Sequence, residues 1–245
     1  MRPAWRSPIA LLTIGGVLVA VVLLGVIQLL PPSGATGPAT PGTKTAAGIM
    51  VPMIGTPAAL ADGRTIGRAD APLTLRIWSD FQCPACQRLA TRIEPDIVRD
   101  YVATGKLRVI YSDFILIGPQ SMDLAVAARC AGDQGRFWQY HDVVFANQGT
   151  ENTGWATRSM IDNMADAVGL DRLSFDACLA SKDKVDAVTA EYDQGKAIVH
   201  STPTLDFGSK VIAGAVPYDQ LKPQIDALLA AIPTTSALPG APASP

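Results

Sequence analysis

The sequence has no block of basic residues. Lysine and arginine number 20 against 22 acids, a net charge of −2 over 245 residues, and they never cluster densely enough to neutralise a run of phosphates, which excludes a nucleic-acid partner. Histidine is scarce. His141 and His200 are the only two, and neither stands at ligand-like spacing from a cysteine, so a zinc site would lack half of its donors. There is no internal repeat, and no glycine-rich loop accompanies Asp206-Phe207-Gly208, which therefore reads as a turn and not as part of a kinase site. Charge is thin throughout, 17% of residues against 48% hydrophobic, with the apolar excess concentrated in the first 30 residues.

That excess forms an uncharged run from Ile9 to Leu30. As a helix it spans about 33 Å, enough to cross a hydrocarbon core of about 30 Å. It exceeds the roughly 7–15-residue core of a cleaved signal peptide, and Pro31-Pro32-Ser33-Gly34 follows it without a small-x-small cleavage pattern. Residues 9–30 therefore read as an uncleaved anchor. Arg2 and Arg6 precede the run and the next basic residue is Lys44, so residues 1–8 are expected in the cytoplasm and everything after Leu30 outside it. Residues 31–59, rich in small residues and proline at their start, read as a flexible linker. Residues 233–245 repeat that composition and read as a disordered tail. Between them lies one folded domain, residues 60–232.

The domain carries four cysteines, Cys83, Cys86, Cys130 and Cys178. An even count in an exported domain points to disulfides, and of the three pairings 83–86 with 130–178 is the most natural. Cys83-Pro84-Ala85-Cys86 sits where the apolar run Leu73–Ser79 gives way to a helix. A CxxC at a strand–helix junction places its first thiol at the helix N-terminus, where unpaired N–H groups and the helix dipole stabilise a thiolate. The second thiol lies one turn on, close enough to close a disulfide.

Leu73–Ser79 and Leu107–Tyr111 read as buried strands, with helical spacing from Pro84 to Gly105 interrupted by a kink at Pro95. This β-α-β order implies parallel strands. The pattern is helical from Pro119 to Ala197, with breaks near 132–135, 149–154 and 169–171. Phe137, Trp138, Tyr140 and Phe145 within it read as core packing. Thr204–Phe207 and Lys210–Ala213 read as a hairpin around Gly208-Ser209, and a last helix runs from Tyr218 to Ala231. The fold class is thus α/β: a thioredoxin fold with an inserted α-helical subdomain at about 118–197, preceded by one transmembrane helix. The separation of about 120 residues between Cys83 and Pro203 is too long for a bare thioredoxin fold and suits one that holds such an insertion.

Asp80-Phe81-Gln82-Cys83-Pro84-Ala85-Cys86, the helical block, and then Ser201-Thr202-Pro203-Thr204 resemble the DsbA-type thiol:disulfide oxidoreductases over about residues 60–232. The resemblance implies that Cys83 is the nucleophile and Cys86 the buried partner that closes the internal disulfide and resolves mixed disulfides. It implies a cis Thr202–Pro203 bond, where the residues alone also allow a trans edge feature. That cis bond would set Thr202 beside Cys83 as a substrate contact and modest tuner of the potential. Pro84 and Ala85 form the active-site dipeptide. Cys130 and Cys178 fall on predicted helices of the insertion and resemble the additional structural disulfide of some DsbA relatives; two buried free thiols are the alternative. Such a bridge closes a loop of about 49 residues, worth roughly 4 kcal/mol. Asp80, three residues before Cys83, either assists proton transfer from Cys86 or caps the helix. His200 receives no role.

The expected activity is extracytoplasmic disulfide formation in exported, cysteine-containing proteins through Cys83 and Cys86, with no metal or cofactor. An integral-membrane, quinone-linked partner of the DsbB or vitamin K epoxide reductase type would return the pair to the disulfide; the resemblance alone implies it. A reductase or isomerase on the same fold, serving for example cytochrome maturation, is the first rival, because Pro84-Ala85 does not set the direction. A non-catalytic anchored binding or metal-delivery module is the second.

Overall fold

The computed structural model describes residues 41–53 and 55–233. The transmembrane span, the first part of the linker and the C-terminal tail expected from the sequence lie outside the described residues.

A mixed sheet of six strands organises the domain, in spatial order β1-β2-β4-β3-β5-β6. Its centre is β3 (Leu73–Ser79), paired in parallel with β4 (Leu107–Asp113) from Leu73↔Leu107 to Ser79↔Asp113. Leu73, Leu75 and Ile77 alternate with Thr74 and Arg76, so one face of β3 is apolar along its length. On its other side β3 pairs antiparallel with β5 (Thr204–Asp206), which turns back into β6 (Val211–Ala213). The hairpin expected around Gly208-Ser209 is present. A second hairpin, β1 (Ala61–Asp62) with β2 (Thr65–Ile66), adds antiparallel to the far edge of β4. Strands of two residues leave no periodicity to read, and the sequence gives no sign of this one beyond Gly63 at its turn.

The crossover from β3 to β4 begins with α1 (Pro84–Arg92). Pro84 occupies the first turn, where its missing N–H costs nothing. The continuous kinked helix expected to Gly105 is instead broken at Ile93 (φ −116°), because Pro95 has no N–H to continue the ladder. A new helix α2 (Glu94–Ile97) starts there and runs into a wider, π-helical turn at Val98–Val102. The insertion comprises α3 (Pro119–Asp133), α4 (Phe137–Ala146), α5 (Arg158–Ala167), α6 (Arg172–Leu179) and α7 (Lys182–Gly195). The C-terminal helix α8 (Tyr218–Ala230) keeps Pro223 inside it.

Cys130 on α3 and Cys178 on α6 form a disulfide with their Cα atoms 5.7 Å apart. Phe137, Trp138, Tyr140 and Phe145 are buried; the first two meet Tyr111, Phe145 meets Phe81 and Tyr140 meets Phe175, as core packing requires. The sheet and the insertion thus share one apolar core rather than two.

The expected flexible linker is corrected by the structure over its described part. Residues 42–51 double back, with Gly42 N–H donating to Val51 O and Val51 N–H to Thr43 O, and Ile49 is fully buried. The Asn147 side chain accepts from Met50 N–H and donates to Met50 O, both at 2.8 Å, while Thr56 N–H donates to Asp142 at 2.6 Å. Small-residue composition suggested a spacer; the buried Ile49 and these backbone bonds make it part of the domain.

Candidate active site

Cys83 is the N-cap of α1, with extended backbone (φ −75°, ψ 123°), and Cys86 lies one turn in. The run of buried β3 ends at Ser79, so the chain must turn at Asp80–Gln82 to enter α1, and this delivers the first thiol to the end of the sheet. Cys83 N–H donates to Asp80 O at 3.0 Å and tightens that turn. The structure holds both cysteines as free thiols. The Cys83 thiol donates to the carbonyl of Thr202 at 3.3 Å, and the Thr202–Pro203 bond is cis. Residues 119 positions apart are thereby brought together.

The two thiols differ sharply. Cys86 donating to the Cys83 sulfur, helped by the Thr202 side chain and then by the backbone N–H groups of Cys86 and Ala85, lowers the Cys83 pKa from 9.0 to about 6 against the opposing effect of burial. Cys86 is pushed the other way, well above the ordinary thiol value. Burial is the main cause and the adjacent Cys83 charge adds to it. At neutral pH the pair therefore carries one thiolate, on Cys83, with the proton on Cys86.

Asp80 is fully buried, yet its oxygens are already occupied. Oδ1 accepts from Gln82 N–H at 2.8 Å, and Oδ2 from Leu116 N–H at 2.8 Å and Ile117 N–H at 2.9 Å. Its carboxylate ties the redox turn to the loop after β4. Only its backbone N–H reaches the Cys86 sulfur. The N-cap of α1 is Cys83, so the carboxylate does not cap the helix, and it acts as a strut between two loops. His200 is exposed.

Sequence reasoning missed the amide side chains around the turn. Gln82 is fully buried; its Nε2 donates to Ser121 Oγ at 3.0 Å, and its Oε1 accepts from Asn152 N–H at 3.2 Å. Gln148 Nε2 donates to Phe81 O at 2.7 Å and Cys83 O at 3.2 Å. Missed too was an ion cluster between sheet and insertion. Arg129 on α3 holds Asp113 at 2.7 Å and Glu191 on α7 at 2.6 Å, and Arg64 of the β1–β2 turn holds Glu191 at 2.5 Å. Burial pushes Asp113 up to about 6 despite Arg129. Long-range polar pairs of this kind leave no periodic signal in a single sequence.

Residues 60–227 match the family described as Thioredoxin. The chain is similar to disulfide bond formation protein D of Bacillus subtilis (strain 168), 26% identical over 173 residues that cover 66% of this chain and 74% of that protein. The probable disulfide bond formation protein D of Bacillus anthracis is 28% identical over 170 residues, covering 66% and 76%. Among solved structures, oxidised BdbD from Bacillus subtilis superposes with a TM-score of 0.64 at 22% identity, over 79% of this chain and all of that one. Wolbachia pipientis alpha-DsbA1 superposes with a TM-score of 0.62 at 18% identity, over 70% and 92%. The chain belongs to the thioredoxin family and, within it, is a DsbA-like protein disulfide oxidoreductase.

Proposed function

We propose that this oxidoreductase works outside the cytoplasm and donates the Cys83–Cys86 disulfide to exported proteins. The observation that carries the reading is the asymmetry of the pair: a Cys83 thiol lowered to about 6 beside a Cys86 thiol raised above its ordinary value. A substrate thiolate attacks Cys83 Sγ, the S–S bond to Cys86 breaks, and Cys86 leaves as a thiolate that takes up a proton. A second substrate thiolate then attacks the substrate sulfur of the mixed disulfide. Cys83 departs as a stabilised thiolate, and the substrate has lost two electrons to the pair. A leaving thiol of low pKa leaves faster, so the second step favours release of an oxidised substrate. Attack at Cys86 is disfavoured by access, since its side chain is 1% exposed.

Thr202, next to Cys83 Sγ, is the proposed backbone contact for the substrate, with Pro203 shaping that wall. Extracytoplasmic placement is supported by the anchor-like run Ile9–Leu30 with Arg2 and Arg6 before it and by the similarity to disulfide bond formation proteins. A quinone-linked membrane protein of the DsbB or vitamin K epoxide reductase type is the proposed reoxidant.

The test mixes the oxidised protein with a reduced, unfolded two-cysteine peptide and counts thiols. One peptide disulfide per Cys83–Cys86 disulfide consumed is expected, with Cys83→Ser inactive and Cys86→Ala inactive in turnover. Peptide thiols left intact by oxidised wild-type protein would refute the proposal.

A further inference from the structure

Four hydrogen bonds between side chain and backbone, or between side chains, join the redox turn to the insertion: Gln148 to Phe81 O and to Cys83 O, Gln82 to Ser121, and Asn152 N–H to Gln82. All four involve a neutral amide side chain, so they persist across pH while the thiols titrate. Gln148 is distinctive because one amide nitrogen spans both carbonyls that flank Gln82. Phe81 is buried, so its carbonyl has no water to turn to if Gln148 is lost. The Cys83 carbonyl also accepts from Gln87 N–H at 3.0 Å, so Gln148 holds the first acceptor of α1 from outside the helix.

The loop that carries Gln148 is built closely against the core. A Cβ on Gly149 would lie 2.6 Å from the Trp155 ring, and one on Gly118 would lie 2.5 Å from Asn152 Oδ1. Asn152 adopts a left-handed φ of +57°, with its Nδ2 donating to Ile117 O at 3.2 Å. Ile117 is the same residue whose N–H Asp80 holds. The turn is thus gripped from the strand side by Asp80 and from the insertion side by Gln148 and Asn152. The Cys83 thiolate is held first by the Cys86 thiol, then by the Thr202 side chain and the N–H groups of residues 86 and 85, and the aim of these donors at its sulfur depends on where residues 81–83 are held.

We infer that Gln148 is a positioning residue that sets the reactivity of Cys83 through the carbonyls of Phe81 and Cys83, so that the redox pair responds to the seating of the insertion's 147–153 loop. This deepens the proposed disulfide-donor function and rests on it for its meaning. The test follows thiolate absorbance of the reduced full-length chain against pH, for wild type, Gln148→Met and Gln148→Leu; neither replacement carries a hydrogen-bond donor or a charge. The Cys83 midpoint is expected to rise by about 0.5 units or more, and the equilibrium with glutathione to shift about threefold towards the oxidised protein. Variants that lose thermal stability but titrate with the wild-type midpoint would overturn the inference, since a merely structural role moves only the former. On wild-type protein, which needs no variant to fold, the Gln148 side-chain amide resonances should shift with the Cys83 midpoint; resonances that stay still through that titration would equally overturn it. Failure of the wild type to oxidise peptide thiols would instead remove the proposed function and leave the titration result standing.

Discussion

At the scale of single residues, the chemistry rests on a proton held between two sulfurs. Cys86 is the largest cause of the lowered Cys83 pKa, so Cys86→Ala should move the Cys83 titration up from about 6, read by thiolate absorbance at 240 nm. The sign for stability follows. A thiol whose folded value lies below its unfolded 9.0 stabilises the reduced protein fully above that value, and the gain is lost as pH falls through about 6. Glu94 runs the opposite way. Burial raises it from 4.5 to about 7, with His141 pulling it down and Asp142 pushing it up. The folded protein keeps a proton that the unfolded chain has released, so stability falls as pH rises from about 4.5 to 7. Glu94→Gln should therefore raise the melting temperature at pH 8 and change it little at pH 4, measured by calorimetry; an equal effect at both would contradict this origin.

At the scale of elements, what was legible in the sequence tracks how local the cause is. Leu73–Ser79 declared itself because alternation and burial coincide in seven residues, and the N-terminal position of Cys83 followed from that strand end plus Pro84. The strand pair β1–β2 did not, because its strands are two residues each and exist by pairing with β4. Pro95 was read as a kink where the structure breaks the helix, since a single sequence does not say whether neighbouring packing will bridge the gap in the ladder. The amide contacts of Gln82 and Gln148 were invisible for the same reason as the Arg64–Glu191 pair, which spans 127 positions. The disulfide between α3 and α6 is a local staple on the insertion. Replacing both Cys130 and Cys178 by Ala should cost up to roughly 4 kcal/mol by the loop-entropy argument, measured by urea unfolding, while peptide oxidation by Cys83 and Cys86 continues. Loss of oxidation in a folded double variant would show that the second disulfide belongs to the redox chemistry.

At the scale of the whole molecule, sheet and insertion act as one body. They share a core, Arg129 crosses between them to Asp113 and Glu191, and residues 42–51 pack back on the insertion through Asn147, the C-cap of α4. The thioredoxin architecture with its helical insertion was readable from the order of elements and the gap between Cys83 and Pro203. The docking of the linker was not, because its opening composition is that of a spacer and the buried Ile49 and Val51 are too few and too close together to show a period. Function at this scale is a matter of direction: the same pair can donate a disulfide or remove one. The decisive measurement traps thiols in living cells with a mass-shifting alkylating reagent and scores Cys83 and Cys86. A pair found mostly oxidised at steady state is the predicted result; a pair found mostly reduced would contradict the account and make the protein a reductase.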